Sequence, residues 1–293
     1  MKRSLFVAGT LATALAPRAA LAQSPSFDAR LRAAIATIPG TTGVYARTMA
    51  PGPPLFAHNQ SVSFPSASTI KLLIMLTAFE RARTHPAVMH ERITYRSSQL
   101  IGGSDFLAGQ RDGSRFSVHE LIVPMIRLSD NTASNLLITH FGFAAINAAA
   151  RRAGMHDTHL RRHFLDYSAI VHHMDNRTTP ADMAHLLYQI ERGAREGIPT
   201  VAPPLQCRAM LQIMLGQTDR TKIPAGLPHG IACANKTGEV DGSRSDVAVV
   251  EPFGNSPYVL AVYTKRLDNY GDAYAGIADI SRIVYAHVAG TNL

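Results

Sequence analysis

The sequence predicts an α+β protein with an antiparallel sheet that is formed from both chain ends, flanked by helices and interrupted by an all-helical insertion. Short β-rich runs lie between residues 42 and 58, helical signals then begin at Ser66 and fill the middle of the chain, and β-rich runs return from Ile231. Elements in this order pack as one sheet with a helical part, and we expect the functional cleft between the two parts.

The first 22 residues have the pattern of an export signal. Lys2 and Arg3 supply the charged start, Phe6–Leu15 forms a modest apolar stretch, and Ala20–Ala22 offers a cleavage pattern of small residues. We therefore expect a protein that is periplasmic or secreted after the signal peptide, residues 1–22, has been removed.

Residues 23–293 are expected to form one domain, with an α/β part over residues 23–64 and 203–293 and a helical part over residues 65–202. Ser26 is placed to cap the first helix, and Ser117 with Glu120 fits a capping box within the insertion. The main elements predicted outside the insertion are the helices Phe27–Ile38 and Tyr274–Ala289 and the strands Thr42–Thr48, Leu55–His58, Ile231–Ala234, Ser245–Val250 and Tyr258–Thr264.

Composition excludes several classes of protein. Apolar residues make up 46% and charged residues 17%, which excludes a mainly disordered chain. The formal charge of +8 falls to +5 without the leader cations Lys2, Arg3 and Arg18, and no dense basic run interleaved with aromatic residues suggests a nucleic-acid partner. Beyond the leader, no apolar run approaches the ~18 residues that a membrane span needs. No phosphate-binding or dinucleotide-binding glycine motif occurs, so we expect no cofactor.

The cysteines and histidines give weaker signals. Cys207 and Cys233 are the only cysteines. An oxidising compartment would allow a bridge, but two buried thiols fit the sequence equally well, and the question stays open. His159 and His163 lie in a cluster of histidines, but the chain lacks the His-Glu-x-x-His pattern, and we expect no metal site.

The segment Phe64–Leu76 contains the first candidate site residues. The helix that it begins is apolar nearly all round, which predicts burial. Lys71 follows Ser68 by three residues, so their side chains share one face of the helix. Because burial lowers the pKa of a lysine, a neutral Lys71 can accept the proton of Ser68 and make it a nucleophile. The alternative is that Ser68 caps the helix while Lys71 reaches solvent.

A second candidate segment, Ser129-Asp130-Asn131, connects an apolar helix to the predicted helix Thr132–Phe141. A hydroxyl and an amide at such a turn can project into a cleft. Ser129 would then pass a proton and Asn131 would hold a substrate amide, although an ordinary helix cap gives the same pattern.

A third candidate segment, Lys236-Thr237-Gly238, follows the predicted strand Ile231–Ala234. Lys236 can meet a carboxylate, Thr237 can donate a hydrogen bond to it, and Gly238 allows a substrate to lie close to the backbone. An ordinary strand end is the alternative.

These Ser-x-x-Lys, Ser-Asp-Asn and Lys-Thr-Gly motifs occur in this order in class A β-lactamases. The chain resembles that family, and the related penicillin-binding serine enzymes, over nearly the whole mature sequence. Only five of its 29 basic residues are lysines, yet both motif cations are lysines. The resemblance implies a β-lactamase-like catalytic domain over residues 23–293.

The resemblance also implies a role for each motif residue. Ser68 is acylated, Lys71 is its activating base or proton relay, and Ser129 moves a proton to the leaving nitrogen with help from Lys236. The implied binding groups are Asn131 for the substrate's side-chain amide, Lys236, Thr237 and Gly238 for its carboxylate end, the backbone N–H groups of Ser68 and Glu239 as oxyanion hole, and Arg244 as an added positive charge.

The chain departs from the family in the loop that carries the water-activating Glu. Counting from Arg162 places Phe164 at the position of that Glu, and phenylalanine cannot act as a base. Asp166 lies two residues further on and supplies the carboxylate only if the loop path differs; pairing with a neighbouring arginine is the alternative. Glu239 is a second departure, because small residues are common at its position.

We therefore expect a serine hydrolase that opens the β-lactam ring through an acyl-enzyme at Ser68, with deacylation that is slow or uses Lys71, Asp166 or His163 as base. The alternatives are a D-alanyl-D-alanine carboxypeptidase or transpeptidase and a covalent binder of β-lactams or peptidoglycan without useful turnover. The expected partner is a small β-lactam or a cell-wall peptide, and the protein is expected to be a monomer.

Overall fold

The computed structural model describes residues 25–291, so the predicted signal peptide lies outside the described residues. The helices are α1 (Phe27–Ala36), α2 (Lys71–Ala82), α3 (Asp105–Ala108), α4 (Val118–Arg127), α5 (Asn131–Phe141), α6 (Phe143–Arg152), α7 (Tyr167–Val171), α8 (Pro180–Glu196), α9 (Pro204–Leu215) and α10 (Tyr270–Ala289). The strands are β1 (Thr41–Thr48), β2 (Phe56–His58), β3 (Phe64–Pro65), β4 (Arg92–Thr94), β5 (Arg115–Ser117), β6 (Arg177–Thr178), β7 (Cys233–Val240), β8 (Ser243–Val250) and β9 (Tyr258–Lys265).

Five strands form one antiparallel sheet in the order β2-β1-β9-β8-β7. The N-terminal strand β1 pairs along its whole length with β9, from Thr41 opposite Lys265 to Thr48 opposite Tyr258. The strand β8 joins β9 to the edge strand β7. The predicted α+β fold, with one sheet made from both chain ends, is confirmed.

The two faces of the sheet pack into two separate cores. On β9, Leu260 and Val262 pack with residues of α1 and α10. Ala261 and Tyr263 on the same strand belong to the core that is formed with the helices of the insertion. Because successive side chains of a strand point to opposite faces, this alternation buries β9 on both sides. The helical part therefore packs against one face of the sheet, and α1 and α10 pack against the other.

The insertion is not all-helical, which corrects one detail of the predicted fold. The strands β4 and β5 form a two-stranded sheet, with Arg92 opposite Ser117, and β3 pairs with β6, with Phe64 opposite Thr178. Each of these strands has only two or three residues. Such runs are too short to produce an alternating pattern in the sequence.

Two predicted boundaries at the C-terminal end are also wrong. The predicted strand Ile231–Ala234 in fact begins at Cys233 and continues to Val240, because β7 pairs with β8 throughout this range. The last helix begins at Tyr270 and not at Tyr274, because the Asn269 side chain caps it by accepting a hydrogen bond from a backbone N–H. The Lys-Thr-Gly motif therefore lies inside a strand.

Cys207 on α9 and Cys233 on β7 are buried free thiols, and burial raises the pKa of both. Between residues 25 and 291, no helix has the length and apolar character to cross a bilayer. The same range contains no group of three or more His, Cys, Asp or Glu side chains arranged to hold a metal ion.

Candidate active site

Ser68 lies in a 3-10 turn, Ala67–Ile70, that leads directly into α2, and Lys71 is the first residue of that helix. The turn is held at its start, where the Ser66 N–H donates to the Asn176 carbonyl at 3.0 Å. Ala67 has a φ of +46°, a left-handed conformation that is costly for a residue with a Cβ. The strained turn therefore presents the half-buried Ser68 at the end of a rigid, buried helix.

The Lys71 side chain is fully buried. Its Nζ donates to the Ser129 carbonyl at 2.5 Å, to Ser129 Oγ at 3.0 Å and to Asn131 Oδ1 at 2.8 Å. Burial, followed by repulsion from Lys236, lowers the pKa of Lys71 well below its usual value, although Asp130 partly opposes this. Prediction and structure agree that Lys71 is desolvated, but all three of its hydrogen bonds go to the 129–131 turn and none to Ser68.

The turn that carries Ser129 and Asn131 is fixed by the buried residue between them. Asp130 accepts hydrogen bonds from the backbone N–H groups of Leu107 at 3.1 Å and Ala133 at 2.8 Å, so it caps α5 and ties down α3. Ser129 has a φ of +59°, which points the turn back toward α2. Asn131 Nδ2 also donates to the Gly102 carbonyl at 2.9 Å. The motif thus serves both as a helix cap and as the support of the cleft.

Lys236 approaches the same serine from the opposite side of the cleft. Its Nζ donates to Ser129 Oγ at 3.1 Å and to the Thr237 carbonyl at 2.9 Å. Burial lowers the pKa of Lys236 to about 7, against an opposing effect of Asp246 and Asp219. Ser129 Oγ therefore lies within hydrogen-bond distance of both buried lysines, and the three groups form one continuous path.

Gly238 allows a close approach to β7, but the segment that approaches is the turn that carries Ser68 and not a substrate. A Cβ at this position would lie 3.1 Å from the Ser66 carbonyl oxygen and 3.2 Å from the Ala67 Cβ. The missing side chain lets β7 run directly beside the turn that carries Ser68. The edge of β7 and the nucleophile turn therefore lie side by side.

A buried lysine that sequence analysis missed lies beside this end of β7. Lys222 is fully buried, and its Nζ contacts Asp219 at 2.8 Å and Glu239 at 2.7 Å. Glu239, whose backbone N–H is assigned to the oxyanion hole by the resemblance, thus also uses its negative side chain to pair with a cation. The scarcity of lysine was the available signal, since three of the four lysines that follow the leader are fully buried: Lys71, Lys222 and Lys236.

Arg244, expected to add positive charge for a substrate carboxylate, is engaged with the protein itself. Its guanidinium donates to the carbonyls of Val240 and Ser243, each at 2.8 Å, and to the Tyr274 hydroxyl at 3.2 Å. It also stacks over the Tyr270 ring at 3.7 Å and lies 3.7 Å from Glu239. The positive charge of Arg244 therefore lies near the cleft, but the guanidinium is already engaged by hydrogen bonds and an ion pair within the protein.

Phe164 occupies the position at which the sequence comparison expects a Glu. Its backbone is clamped by Asn135 of α5, which accepts from the Phe164 N–H at 2.8 Å and donates to its carbonyl at 3.2 Å. The centroid of the buried ring lies 4.4 Å from Lys71 Nζ. An aromatic face is therefore placed against the lysine, and this ring cannot activate water.

Among the described residues 25–291, Asp166 forms no ion pair with an arginine, so that alternative for Asp166 is wrong. Its carboxylate caps α7 by accepting from the Ala169 N–H at 3.0 Å. The arginine pair that pins the loop is formed by Asp175 instead, which contacts Arg162 at 2.7 Å. His163, the other suggested base, contacts Thr139 Oγ1 at 3.3 Å. A cap was the more economical expectation, because Asp is favoured immediately before a helix.

Comparison with known proteins agrees with this geometry. A family model described as the β-lactamase enzyme family matches residues 26–288. The chain belongs to this family. It is 29% identical over 226 residues to the β-lactamase CTX-M-8 of Citrobacter amalonaticus, a match that covers 74% of this chain and 75% of that protein. An ancestral class A β-lactamase superposes with a TM-score of 0.79 at 28% identity, covering 89% of this chain and all (100%) of that one.

A penicillin-binding protein, PBP-A, is equally similar in structure. Its TM-score is 0.78 at 28% identity, with 89% of this chain and 96% of PBP-A covered. A variant of PBP-A with the same scores is an acyl-enzyme complex with penicillin G. This chain is thus a serine hydrolase of the class A β-lactamase type, with structural relatives among both β-lactamases and penicillin-binding proteins.

Proposed function

We propose that this protein attacks the β-lactam carbonyl with Ser68 and that release of the acyl group limits its turnover. In the first step, Ser68 Oγ bonds to the carbonyl carbon while the ring C–N bond breaks. Neutral Lys71 releases one of its three hydrogen bonds and accepts the proton of Ser68. Ser129 gives its own proton to the ring nitrogen and regains one from the protonated Lys71, so that both groups end in their starting forms. The observation that carries the proposal is the position of Ser129 Oγ, 3.0 Å from Lys71 Nζ and 3.1 Å from Lys236 Nζ.

The remaining groups hold the substrate in this scheme. The backbone N–H groups of Ser68 and Glu239 stabilise the developing oxyanion, which the close approach of β7 to the nucleophile turn favours. Lys236 and Thr237 bind the substrate carboxylate. Asn131 binds the side-chain amide, for which its Oδ1 keeps a second lone pair and its Nδ2 a second hydrogen beside the bonds to Lys71 and Gly102.

Deacylation is the weak step because the loop offers no free base at the required place. Phe164 faces Lys71, and Asp166 is used as a helix cap. The same observation favours a second candidate, a D-alanyl-D-alanine carboxypeptidase or transpeptidase, in which an amine or water from outside the loop accepts the acyl group. If the acyl group is not released at all, the protein is a covalent binder without turnover.

Intact mass spectrometry with a chromogenic cephalosporin separates these functions. We expect a mass adduct on Ser68 that accumulates within the first turnover and then decays slowly. Many turnovers with free enzyme at steady state would instead indicate an efficient β-lactamase, while cleavage of a D-Ala-D-Ala peptide would identify the peptidase. Absence of any adduct in folded protein, or labelling of the Ser68→Ala variant, would refute the proposal.

We further propose that the mature protein is exported and acts as a monomer. The pattern over residues 1–22 supports export, and the N-terminal sequence of protein recovered from a periplasmic fraction tests it. Light scattering of the mature chain tests the monomer, for which a mass of two chains would be the contrary result.

A further inference from the structure

The Glu239 carboxylate is surrounded by groups that favour its charged form. Lys222 Nζ and the Tyr274 hydroxyl each lie 2.7 Å from Oε1, and Arg244 Nε lies 3.7 Å from Oε2. Partial burial acts to raise the pKa of Glu239, but the hydrogen bonds from Lys222 and Tyr274 outweigh it, and the pKa lies below its usual value. Glu239 therefore carries a full negative charge at neutral pH.

This charge lies on the substrate side of β7. Side chains two apart on a strand share a face, so Glu239 and Thr237 point the same way. Gly238 between them packs against the turn that carries Ser68. A ligand that lies along β7 with its carbonyl at Ser68 and a polar group at Thr237 must therefore pass the Glu239 side chain, which is 40% exposed.

Two of the cations at this end of the cleft, Lys222 and Arg244, are already matched by protein carboxylates, whereas Lys236 is not. Lys222 is shared between Asp219 and Glu239, and Arg244 pairs with Glu239 in addition to its backbone contacts. A substrate carboxylate gains little from a cation whose charge is already balanced, and it is repelled by the carboxylate that balances it.

We propose that Glu239 is a built-in carboxylate that occupies the Lys222–Arg244 cation pair and thereby slows acylation by β-lactams that carry a free carboxylate, which only Lys236 and Thr237 then hold. This inference rests on the proposed acylation of Ser68 and adds a specificity-determining residue to it. A β-lactam in which the corresponding group is neutral, such as an ester or an amide, is not repelled by Glu239, although it also lacks the charge that Lys236 binds.

The test compares penicillin G with its methyl ester, using the rate constant for formation of the Ser68 adduct. In Glu239→Gln, the amide oxygen can still accept from Lys222 while the charge is removed. We expect the rate constant for the free acid to rise about tenfold and that for the ester to change by less than about twofold. Adding Lys222→Gln to this variant should remove the gain, because the released cation causes it.

Glu196→Gln is the matched control. Glu196 is 41% exposed and pairs with Arg192 at 2.9 Å on α8, so its loss removes a similar ion pair outside the cleft and should change neither rate constant. Melting curves check the folding of each variant, and Glu239→Ala repeats the test if Gln is not tolerated. An equal gain for acid and ester, or no gain for the acid, would overturn the inference. Failure of the wild-type protein to form any adduct would refute the proposed function instead.

Discussion

The two sides of the cleft differ in what they offer to a reaction. On the side formed by α2, the 129–131 turn and β7, Lys71, Ser129 and Lys236 make a connected path of proton-carrying groups. On the loop side, the residue that faces Lys71 is Phe164, and Asp166 is used to cap a helix. In the mechanism that we propose, formation and release of the acyl-enzyme depend on different segments, so the groups for formation can be present while the base for release is missing.

The largest effect is expected from the acylation side. Replacing Lys71 with Met keeps an unbranched side chain that is one atom shorter but removes the base, and should slow formation of the Ser68 adduct by about 10²–10⁴-fold. Stopped-flow measurement with a chromogenic cephalosporin gives this rate. The control is Lys265→Met, since Lys265 contacts the Ser63 carbonyl at 2.8 Å and takes no part in the path. A fall of less than about tenfold for Lys71→Met would remove Lys71 from the chemistry.

The next largest effect tests the loop side directly. Phe164→Glu places a carboxylate where the ring now lies 4.4 Å from Lys71 Nζ. We expect the adduct to decay about 10–100-fold faster. This gain lies at or below the lower end of the usual effect of a general base, because the new carboxylate is not fully positioned. Acylation should slow in the same variant, because an adjacent carboxylate raises the pKa of Lys71.

Phe164→Gln is the control for that change, since it opens the same space with a polar side chain that cannot accept a proton. Decay of the adduct followed by intact mass should be much slower in Phe164→Gln than in Phe164→Glu. Equal rates would show that access of water, and not a missing base, limits deacylation.

How far the fold follows from the sequence depends on the length of each element. The strands β1, β8 and β9 each have eight residues and show enough β-branched and aromatic residues to be predicted within a few positions. The strand β7 also has eight residues but was predicted to end at Ala234, and the Gly238 within it is retained for its close approach to Ser66. A contact between distant parts of the chain, such as this one, leaves no signal in the local sequence pattern.

The same limit applies to the site. Ser68, Lys71, Ser129 and Lys236 could be predicted because their spacing is local and their residue types are chemically specific. The partnership of Lys222 with Glu239 could not, because 17 positions separate them in the chain and only the fold brings them together. The alternative role given to Asp166, an ion pair with a neighbouring arginine, was wrong because a helix cap and an ion pair use the same residue type.

A moderate effect of pH is expected on substrate binding. Since the pKa of Lys236 is lowered to about 7, this side chain is charged at pH 6 and mostly neutral at pH 8. Affinity for an anionic penicillin should therefore fall roughly tenfold between these values. Equilibrium binding to Ser68→Ala measures this without acylation. Lys236→Arg is the comparison, because a guanidinium does not lose its proton in this range and should give a flat profile.

The smallest expected effect tests whether the Asp166 carboxylate has a structural role or takes part in the reaction. Asp166→Asn removes the charge but keeps an equally good helix cap, so we expect adduct decay within about twofold of wild type and little change in stability. Asp175→Asn, in the same loop, should destabilise the protein by about 1.5–3 kcal/mol, because the buried Arg162 loses its charged partner. Thermal melting and adduct decay of the two variants make the comparison. A tenfold slower decay in Asp166→Asn would place that carboxylate in the reaction path and remove the main difference between the two sides of the cleft.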